Sequence, residues 1–162
     1  MHPNAQLIER FYTAFAKRDA DAMNACTHPD LEFTDEVFVG LKGDEARGMW
    51  TMLCERGTDL RIEFRDITAD DTTGSAHWEA RYTFSATGKP VLNVIDATFE
   101  FQDGLIRRHR DRFDLPRWEA QALGASGKLL GRLPFFQKAL RRKARAGLTQ
   151  FLASRAGRSS GR

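Results

Sequence analysis

Apolar and polar residues alternate along residues 78–84, with an apolar residue at every even position. A period of two predicts a β-strand with one buried face. A turn signal at residues 86–89 follows, and residues 91–101 continue as a second strand. The pairs expected across a tight turn at Thr87-Gly88 are Phe84 with Val91, Tyr82 with Asn93, and Ala80 with Ile95.

The next turn, at residues 102–104, decides which side chains of the last strand face the core. A two-residue loop would pair Phe101 with Ile106 and would bury Arg108, Arg110 and Arg112, at a prohibitive cost in desolvation. A three-residue loop with Gly104 in the left-handed conformation pairs Phe101 with Leu105 instead and turns those arginines outward. We therefore predict the second register. It places on the core face Leu105, Arg107, His109, Asp111 and Phe113, beside Asn93 and Tyr82.

The rest of the chain predicts helices first and strands afterwards. Amphipathic or capped helices are expected at residues 3–17, 20–26, 43–56 and 115–123, with a last helix that starts at Pro134. Further strands are expected at residues 31–35 and 60–67, with a break at His28-Pro29-Asp30. This order predicts an α+β fold in which the N-terminal helices pack on one face of a curved antiparallel sheet.

Charge divides the 162-residue chain into two unequal parts. Residues 115–162 carry eleven Lys or Arg and one acid, a net charge of +10, and residues 1–114 carry fourteen bases and twenty-one acids, a net charge of −7. We predict a domain at 1–124, a basic amphipathic helical extension at 125–155 and a disordered tail at 156–162. In the last helix the apolar stripe comprises Phe136, Leu140, Ala144, Leu148, Phe151 and Leu152. That stripe favours packing on its own domain or on a second copy, with binding to anionic lipid as the alternative.

Composition excludes several classes of protein. The sequence has no run of about 18 apolar residues, the length needed to span a membrane. Its first residues lack the pattern of a signal peptide. Cys26 and Cys54 have no metal-binding spacing, which favours buried, reduced thiols in a cytoplasmic protein. Without a phosphate-binding loop or a metal cluster, we expect no cofactor and no metal. No nucleic-acid-binding module is recognisable, so a nucleic acid partner is not expected.

Three motifs carry a resemblance to a known superfamily. They are residues 11–15 (Phe-Tyr-Thr-Ala-Phe) with Asp19, residues 32–40 (Glu-Phe-Thr-Asp-Glu-Val-Phe-Val-Gly), and residues 99–106 (Phe-Glu-Phe-Gln-Asp-Gly-Leu-Ile) running on to Asp114. Over about residues 5–120 the chain resembles the nuclear transport factor 2-like superfamily, in its SnoaL-like and ketosteroid isomerase-like branch. The resemblance implies a cone-shaped domain with a pocket at its wide end, and a homodimer formed through the sheet.

The resemblance also implies site residues. Asp35 falls where ketosteroid isomerases carry a general base, and Asp111 falls on the late strand that bears a carboxylate in limonene epoxide hydrolases and SnoaL-like cyclases. The oxyanion-hole tyrosine of the isomerases falls on Phe11, and their protonated acid resembles Asp96, which our register places on the opposite face. Catalytic candidates are Asp111, Asp35 and His109. Expected ligand contacts are Tyr12, Trp50, Trp78, Tyr82, Asn93 and Phe113.

Structural roles remain open for the same residues. Asp111 could pair with His109, Asp35 could cap a turn before Gly40, and the aromatic residues could be plain core. The sequence predicts binding of a small, largely apolar molecule, with acid–base catalysis of an isomerase, cyclase or hydrolase type. The alternative is a non-catalytic dimeric module whose basic C-terminal helix docks on a partner or makes peripheral contact with a membrane.

Overall fold

Six strands form one mixed sheet, and helices from the first third of the chain cover one of its faces, as the predicted α+β fold requires. The computed structural model describes residues 1–159. Its helices are α1 (Pro3–Ala16), α2 (Ala20–Ala25), α3 (Asp44–Arg56), α4 (Leu115–Leu123), α5 (Ala125–Leu130) and α6 (Pro134–Ser159). Its strands are β1 (Thr27–Thr34), β2 (Leu41–Lys42), β3 (Arg61–Ala69), β4 (Thr73–Phe84), β5 (Lys89–Gln102) and β6 (Leu105–Arg112).

The sheet has the order β2-β1-β6-β5-β4-β3. All neighbours are antiparallel except β1 and β6, which run parallel, so the expectation of a wholly antiparallel sheet was wrong for this pair. β1 also begins before the predicted break at His28-Pro29-Asp30. Its pairing with β6 is irregular between Thr27 and Glu32, and this irregularity accommodates Pro29, which has no N–H to donate to a neighbouring strand.

The first hairpin has the predicted faces with a different register. Tyr82 lies opposite Val91, Ala80 opposite Asn93 and Trp78 opposite Ile95, so each predicted pair was wrong by two residues. The loop spans residues 85–88, because Phe84 pairs with Lys89. A shift of two residues keeps every side chain on its own face of the sheet, since side chains alternate with a period of two.

The second hairpin has a two-residue loop in place of the predicted three-residue loop, but the side chains of β6 lie on the predicted faces. Gln102 pairs with Leu105 and Phe101 with Ile106, so the loop has two residues, Asp103 and Gly104, both with positive φ. A bulge follows, after which Glu100 pairs with Arg108. The extra residue of the bulge shifts β6 by one position, so each side chain after the bulge points to the opposite face of the sheet. As a result His109 and Asp111 are buried while Arg108, Arg110 and Arg112 are exposed.

The C-terminal extension packs back on the domain through α6. Leu148 is fully buried, and a Cβ added at Gly48 of α3 would overlap Cδ2 of Leu152. Arg145 pairs with Glu45 at 2.8 Å, and Arg155 pairs with Glu55. These pairs are equally spaced along the two helices, so α3 and α6 run parallel.

The apolar stripe of the last helix therefore packs on the chain's own domain. The disordered tail predicted from Ala156 is helical as far as Ser159, and residues 160–162 lie outside the described residues. Both cysteines are free and buried, as predicted. Among the described residues, no helix has the length and apolar character needed to cross a membrane.

Candidate functional site

The inner face of β6 buries a histidine and an aspartate. His109 and Asp111 are 1% and 2% exposed, and His109 Nε2 lies 2.9 Å from Asp111 Oδ1. Trp78 Nε1 on β4 donates to the same oxygen at 3.3 Å. Asp111 therefore pairs with His109, and a carboxylate so deeply buried depends on these contacts for its stability.

Aromatic rings surround His109 on several sides. Trp50 stacks on the imidazole with ring centroids 5.6 Å apart, and Phe99, Phe33 and Phe11 lie within 4.5, 5.0 and 5.6 Å of it. These rings come from α1, α3, β1 and β5. They fill the deep part of the cone around the histidine, which holds the ring in one place and keeps water from it.

Two polar atoms in this aromatic cluster have no hydrogen-bond partner in the described part of the chain. They are the hydroxyl of Tyr12 and the indole nitrogen of Trp50. Burial raises the pKa of Tyr12 well above its usual value, and the negative charge of Asp111 adds to the effect. Tyr12 thus faces inward beside Trp78. Buried donors without acceptors are costly, and they are free to bind a ligand.

Asp35 follows β1 and closes a tight turn. Its Oδ1 accepts hydrogen bonds from the backbone N–H groups of Val37 at 2.7 Å and Phe38 at 2.6 Å. Asp35 therefore caps this turn. Burial nevertheless raises the pKa of Asp35 from 3.8 to about 7, against the lowering effect of those N–H donors and with a further contribution from the charge of Asp111.

Tyr82 on β4 is a second polar residue, near Asp35. Its hydroxyl oxygen accepts a 2.7 Å hydrogen bond from the indole nitrogen of Trp118 on α4. Burial raises the pKa of Tyr82 to about 12, the bond from Trp118 opposes this, and the charge of Asp35 adds to it. The hydroxyl proton has no acceptor among the described residues, so it remains available for donation.

This fold is also found in known proteins. The family model of the SnoaL-like domain matches residues 8–109, more than half of the chain. The chain belongs to the SnoaL-like family. The predicted resemblance is therefore confirmed, and the cone-shaped fold shared with nuclear transport factor 2-like proteins is its structural basis.

Solved structures agree on the fold of this SnoaL-like domain. A candidate polyketide cyclase from Xanthomonas campestris pv. campestris is 26% identical, with 74% of this chain and 96% of that chain covered and a TM-score of 0.61. An epoxide hydrolase of M. tuberculosis, described as LEH-like, is 21% identical, with 82% and 96% covered and a TM-score of 0.61. A ketosteroid isomerase-like protein from Catenulispora acidiphila DSM 44928, in complex with trimethylamine, is 11% identical, with 72% and 92% covered and a TM-score of 0.63. The sequence has no match among curated proteins.

A layer of apolar side chains, beyond the residues that the SnoaL-like model matches, covers the end of the cone where Asp35 lies. We call it the cap; it consists of Leu115, Trp118, Ala122 and Leu140, packed against Val37, Tyr82, Val91 and Phe113. α6 holds the neighbouring loop, because Arg141 Nε donates to the carbonyl of Glu36 at 2.9 Å and Arg145 Nη1 to that of Val39 at 3.0 Å. Trp118 was not among the site residues predicted from the sequence. Its only signal was the apolar face of α4.

The SnoaL-like cone thus brings most of the predicted site residues into two adjoining groups. His109, Asp111, Trp78, Trp50 and Tyr12 form the deep group, and Asp35, Tyr82 and Phe113 lie next to the cap. Asn93 is 9% exposed on the same face and makes no side-chain hydrogen bond within residues 1–159. Asp96 lies on the outer face beside His77, as the register predicted. Over the same residues no His, Cys, Asp or Glu cluster is arranged to hold a metal ion.

A hollow of about 730 Å³ lies elsewhere, on the outer face of the sheet. Its lining includes Thr68, Ser75, Thr98, Glu100, Arg108 and Arg110. The alternation of the strands separates this hollow from His109 and Asp111, and Glu100 and Arg108 inside it are already paired at 2.9 Å. It is therefore a feature of the outer sheet surface and distinct from the cone.

Proposed function

We propose that this SnoaL-like domain binds a small, largely apolar molecule beside Asp35, under the cap, and carries out an acid–base reaction on it. The observation that carries the proposal is the placement of two carboxylic acids inside the cone, Asp35 in the turn that follows β1 and the buried Asp111 on β6, where the charge of Asp111 acts on Asp35. Trp78 and Phe113 supply apolar surface next to them. A few polar groups in an apolar concavity are typical of a small-molecule site.

Asp35 would accept a proton from the ligand or donate one to it. A carboxyl group with a pKa of about 7 is present in both protonation states near neutral pH, which is the condition for efficient general acid–base catalysis. The charge of Asp111 contributes to that pKa, so Asp111 would tune Asp35 as well as contact the ligand. The free hydroxyl proton of Tyr82 would donate to a carbonyl or epoxide oxygen of the ligand.

Reactions that need only these groups are proton abstraction beside a carbonyl and addition of water to an epoxide. Neighbours described as a candidate polyketide cyclase and as an LEH-like epoxide hydrolase support this range of reactions for the fold. The unpartnered hydroxyl of Tyr12 would be a second donor deeper in the cone.

The test uses the purified protein with a panel of cyclic ketones and alkyl epoxides. Solvent deuterium incorporation next to the carbonyl and formation of diols are measured by mass spectrometry, for wild type and for Asp35→Asn. We expect turnover of at least one probe that Asp35→Asn lowers by about 100-fold or more. Asp96→Asn is the matched control, because Asp96 lies on the outer face and its side chain is 80% exposed. Equal turnover in wild type and Asp35→Asn would contradict the proposed role.

A second candidate function is a non-catalytic binding module. The aromatic rings around His109 favour it, because they occupy the deep part of the cone where a ligand would otherwise sit. Such a module would bind probes from the panel, detected as a rise in melting temperature, and would turn over none of them. Its affinity would also be insensitive to Asp35→Asn for ligands that carry no polar group.

A further inference from the structure

We propose that the junction of α5 and α6 is a docking surface for an anionic lipid bilayer. This inference rests on a part of the surface that is separate from the site beside Asp35. It does not depend on the chemistry proposed for that site. The junction combines exposed apolar side chains with cations that form no ion pair within residues 1–159.

The apolar component is concentrated in a short segment. Leu129 is 80% exposed, Phe135 64% and Leu133 40%, and together they make up half of the exposed large apolar residues of the described chain. The apolar stripe of α6 that the sequence predicted is turned toward the chain's own domain, with Leu140 in the cap and Leu148 and Leu152 in the main core, and does not contribute. An exposed apolar cluster in a water-soluble surface is costly unless something covers it.

The charged component flanks these apolar side chains along the sequence. Lys128, Arg132, Lys138, Arg142 and Lys143 are exposed, and within residues 1–159 none of them forms an ion pair. Phe135, Lys138 and Arg142 follow one another at helical spacings of three and four, so they share one face of α6. No acidic residue occurs after Glu119 in the sequence, and Glu119 itself is fully buried.

This combination favours a bilayer over other acidic partners. Leucine and phenylalanine side chains enter the boundary between headgroups and acyl chains, while lysine and arginine at the rim contact anionic headgroups. A nucleic acid would use the cations and would gain little from exposed leucines. The cations here are grouped around apolar side chains that point outward, which is the arrangement of a peripheral membrane contact.

The experiment measures sedimentation of the full chain with vesicles of phosphatidylcholine alone and of phosphatidylcholine with about 30% phosphatidylserine. We expect binding to the mixed vesicles only. The double variant Leu129→Ser/Phe135→Ser and the double variant Lys138→Glu/Arg142→Glu should each weaken this binding by about tenfold or more. Circular dichroism confirms that the variants keep their helices.

The matched control changes the same amount of charge elsewhere. Lys17 and Lys42 are exposed and lie outside the junction, so Lys17→Glu/Lys42→Glu should bind mixed vesicles within about twofold of wild type, apart from a small effect of net charge. Equal losses in the control and in Lys138→Glu/Arg142→Glu would overturn the proposal, as would absence of binding to mixed vesicles. Binding of a single-stranded oligonucleotide that survives Leu129→Ser/Phe135→Ser, with vesicle binding absent, would assign the surface to nucleic acid instead.

Discussion

The indole nitrogen of Trp118 donates a 2.7 Å hydrogen bond to the hydroxyl oxygen of Tyr82 and so joins α4 to β4. Replacing Trp118 by Phe keeps most of the apolar volume and removes the donor. We expect Trp118→Phe to lower the free energy of unfolding by about 1 kcal/mol, the usual net value of such a bond. Urea denaturation of Trp118→Phe, Tyr82→Phe and the double variant would give a coupling energy near that value. Strictly additive effects would show that the bond contributes nothing.

Stability should depend on pH through Asp35. A carboxyl group whose pKa rises from 3.8 to about 7 on folding contributes stability that is fully present below the lower value and is lost as the pH rises through the higher one. Asp35→Asn removes this contribution and keeps the oxygen that accepts from Val37 and Phe38. Relative to wild type, the variant should therefore gain about 4 kcal/mol between about pH 4 and about pH 7, measured by urea denaturation.

Asp70 provides a control with the opposite sign. Hydrogen bonds from the backbone N–H groups of Thr73 and Thr72 lower the pKa of this exposed carboxyl. Its contribution to stability is present above its ordinary pKa and is lost as the pH falls through the lowered value. Asp70→Asn should therefore be less stable than wild type near neutral pH, with the difference vanishing in acid. If both variants follow the same pH trend, the assignment of the shift to Asp35 is wrong.

Replacement of Asp111 separates its structural role from its chemical one. Asn at this position still accepts from Trp78 and His109, whereas Ala leaves both buried donors without an acceptor. We expect Asp111→Asn to keep the fold and to lower any turnover by at least ~100-fold. Asp111→Ala should lose about 3 to 5 kcal/mol of stability. Unchanged turnover in Asp111→Asn would leave the residue with a structural role only.

The attachment of α6 should depend on Leu148. Its side chain is fully buried against the domain, so Leu148→Ala should cost about 2 to 5 kcal/mol and should increase hydrogen exchange along α6. Leu129 is the matched control, since it is 80% exposed and Leu129→Ala should change stability by less than about 0.5 kcal/mol. Similar costs for both would mean that α6 is not held by its packed face.

The outer face of the sheet should be an interface between two copies. The homodimer expected from the sequence would use this face, on which Arg81, Thr83, Thr98 and Arg108 lie. We expect light scattering to give the mass of a dimer at micromolar concentration. Thr98→Lys would bury an added charge in such an interface and should yield a monomer, while Thr149→Lys on exposed α6 should leave the dimer intact. A wild-type monomer at high concentration would refute the expectation.

The faces of the strands could be predicted from the sequence, and the pairing of their residues could not. Alternation shows that Tyr82 shares a face with Trp78 and that His109 shares a face with Asp111, because side chains along a strand alternate with a period of two. It does not show how many residues a loop contains, and the hairpin between β4 and β5 closes two residues earlier than its turn signal suggested. The bulge before Arg108 has no such signal either. The cost of burying arginines identified the correct face while suggesting the wrong loop.

The site was predictable to the extent that it depends on position along a strand. Asp111 and His109 follow from β6, and Asp35 follows from its place after β1. The partners of these residues come from distant parts of the chain, as with Trp118 and Tyr82, and no local pattern specifies such contacts. Tyr12 shows the same limit. Its neighbour Phe11 also faces the core, and Tyr12 does so because it packs against Phe64 and Trp78, which are distant in sequence.

The position of α6 after all six strands sets an order of events during synthesis. All six strands precede Pro134, so the sheet and its inner helices can assemble before the helix that holds the cap has left the ribosome. The contact between Arg145 and Glu45 joins residues 100 apart in sequence, and such a contact gains little until the intervening chain has folded. Until then the loop after Asp35 lacks the hydrogen bonds from Arg141 and Arg145. We therefore expect this end of the cone to be the last part of the domain to become rigid.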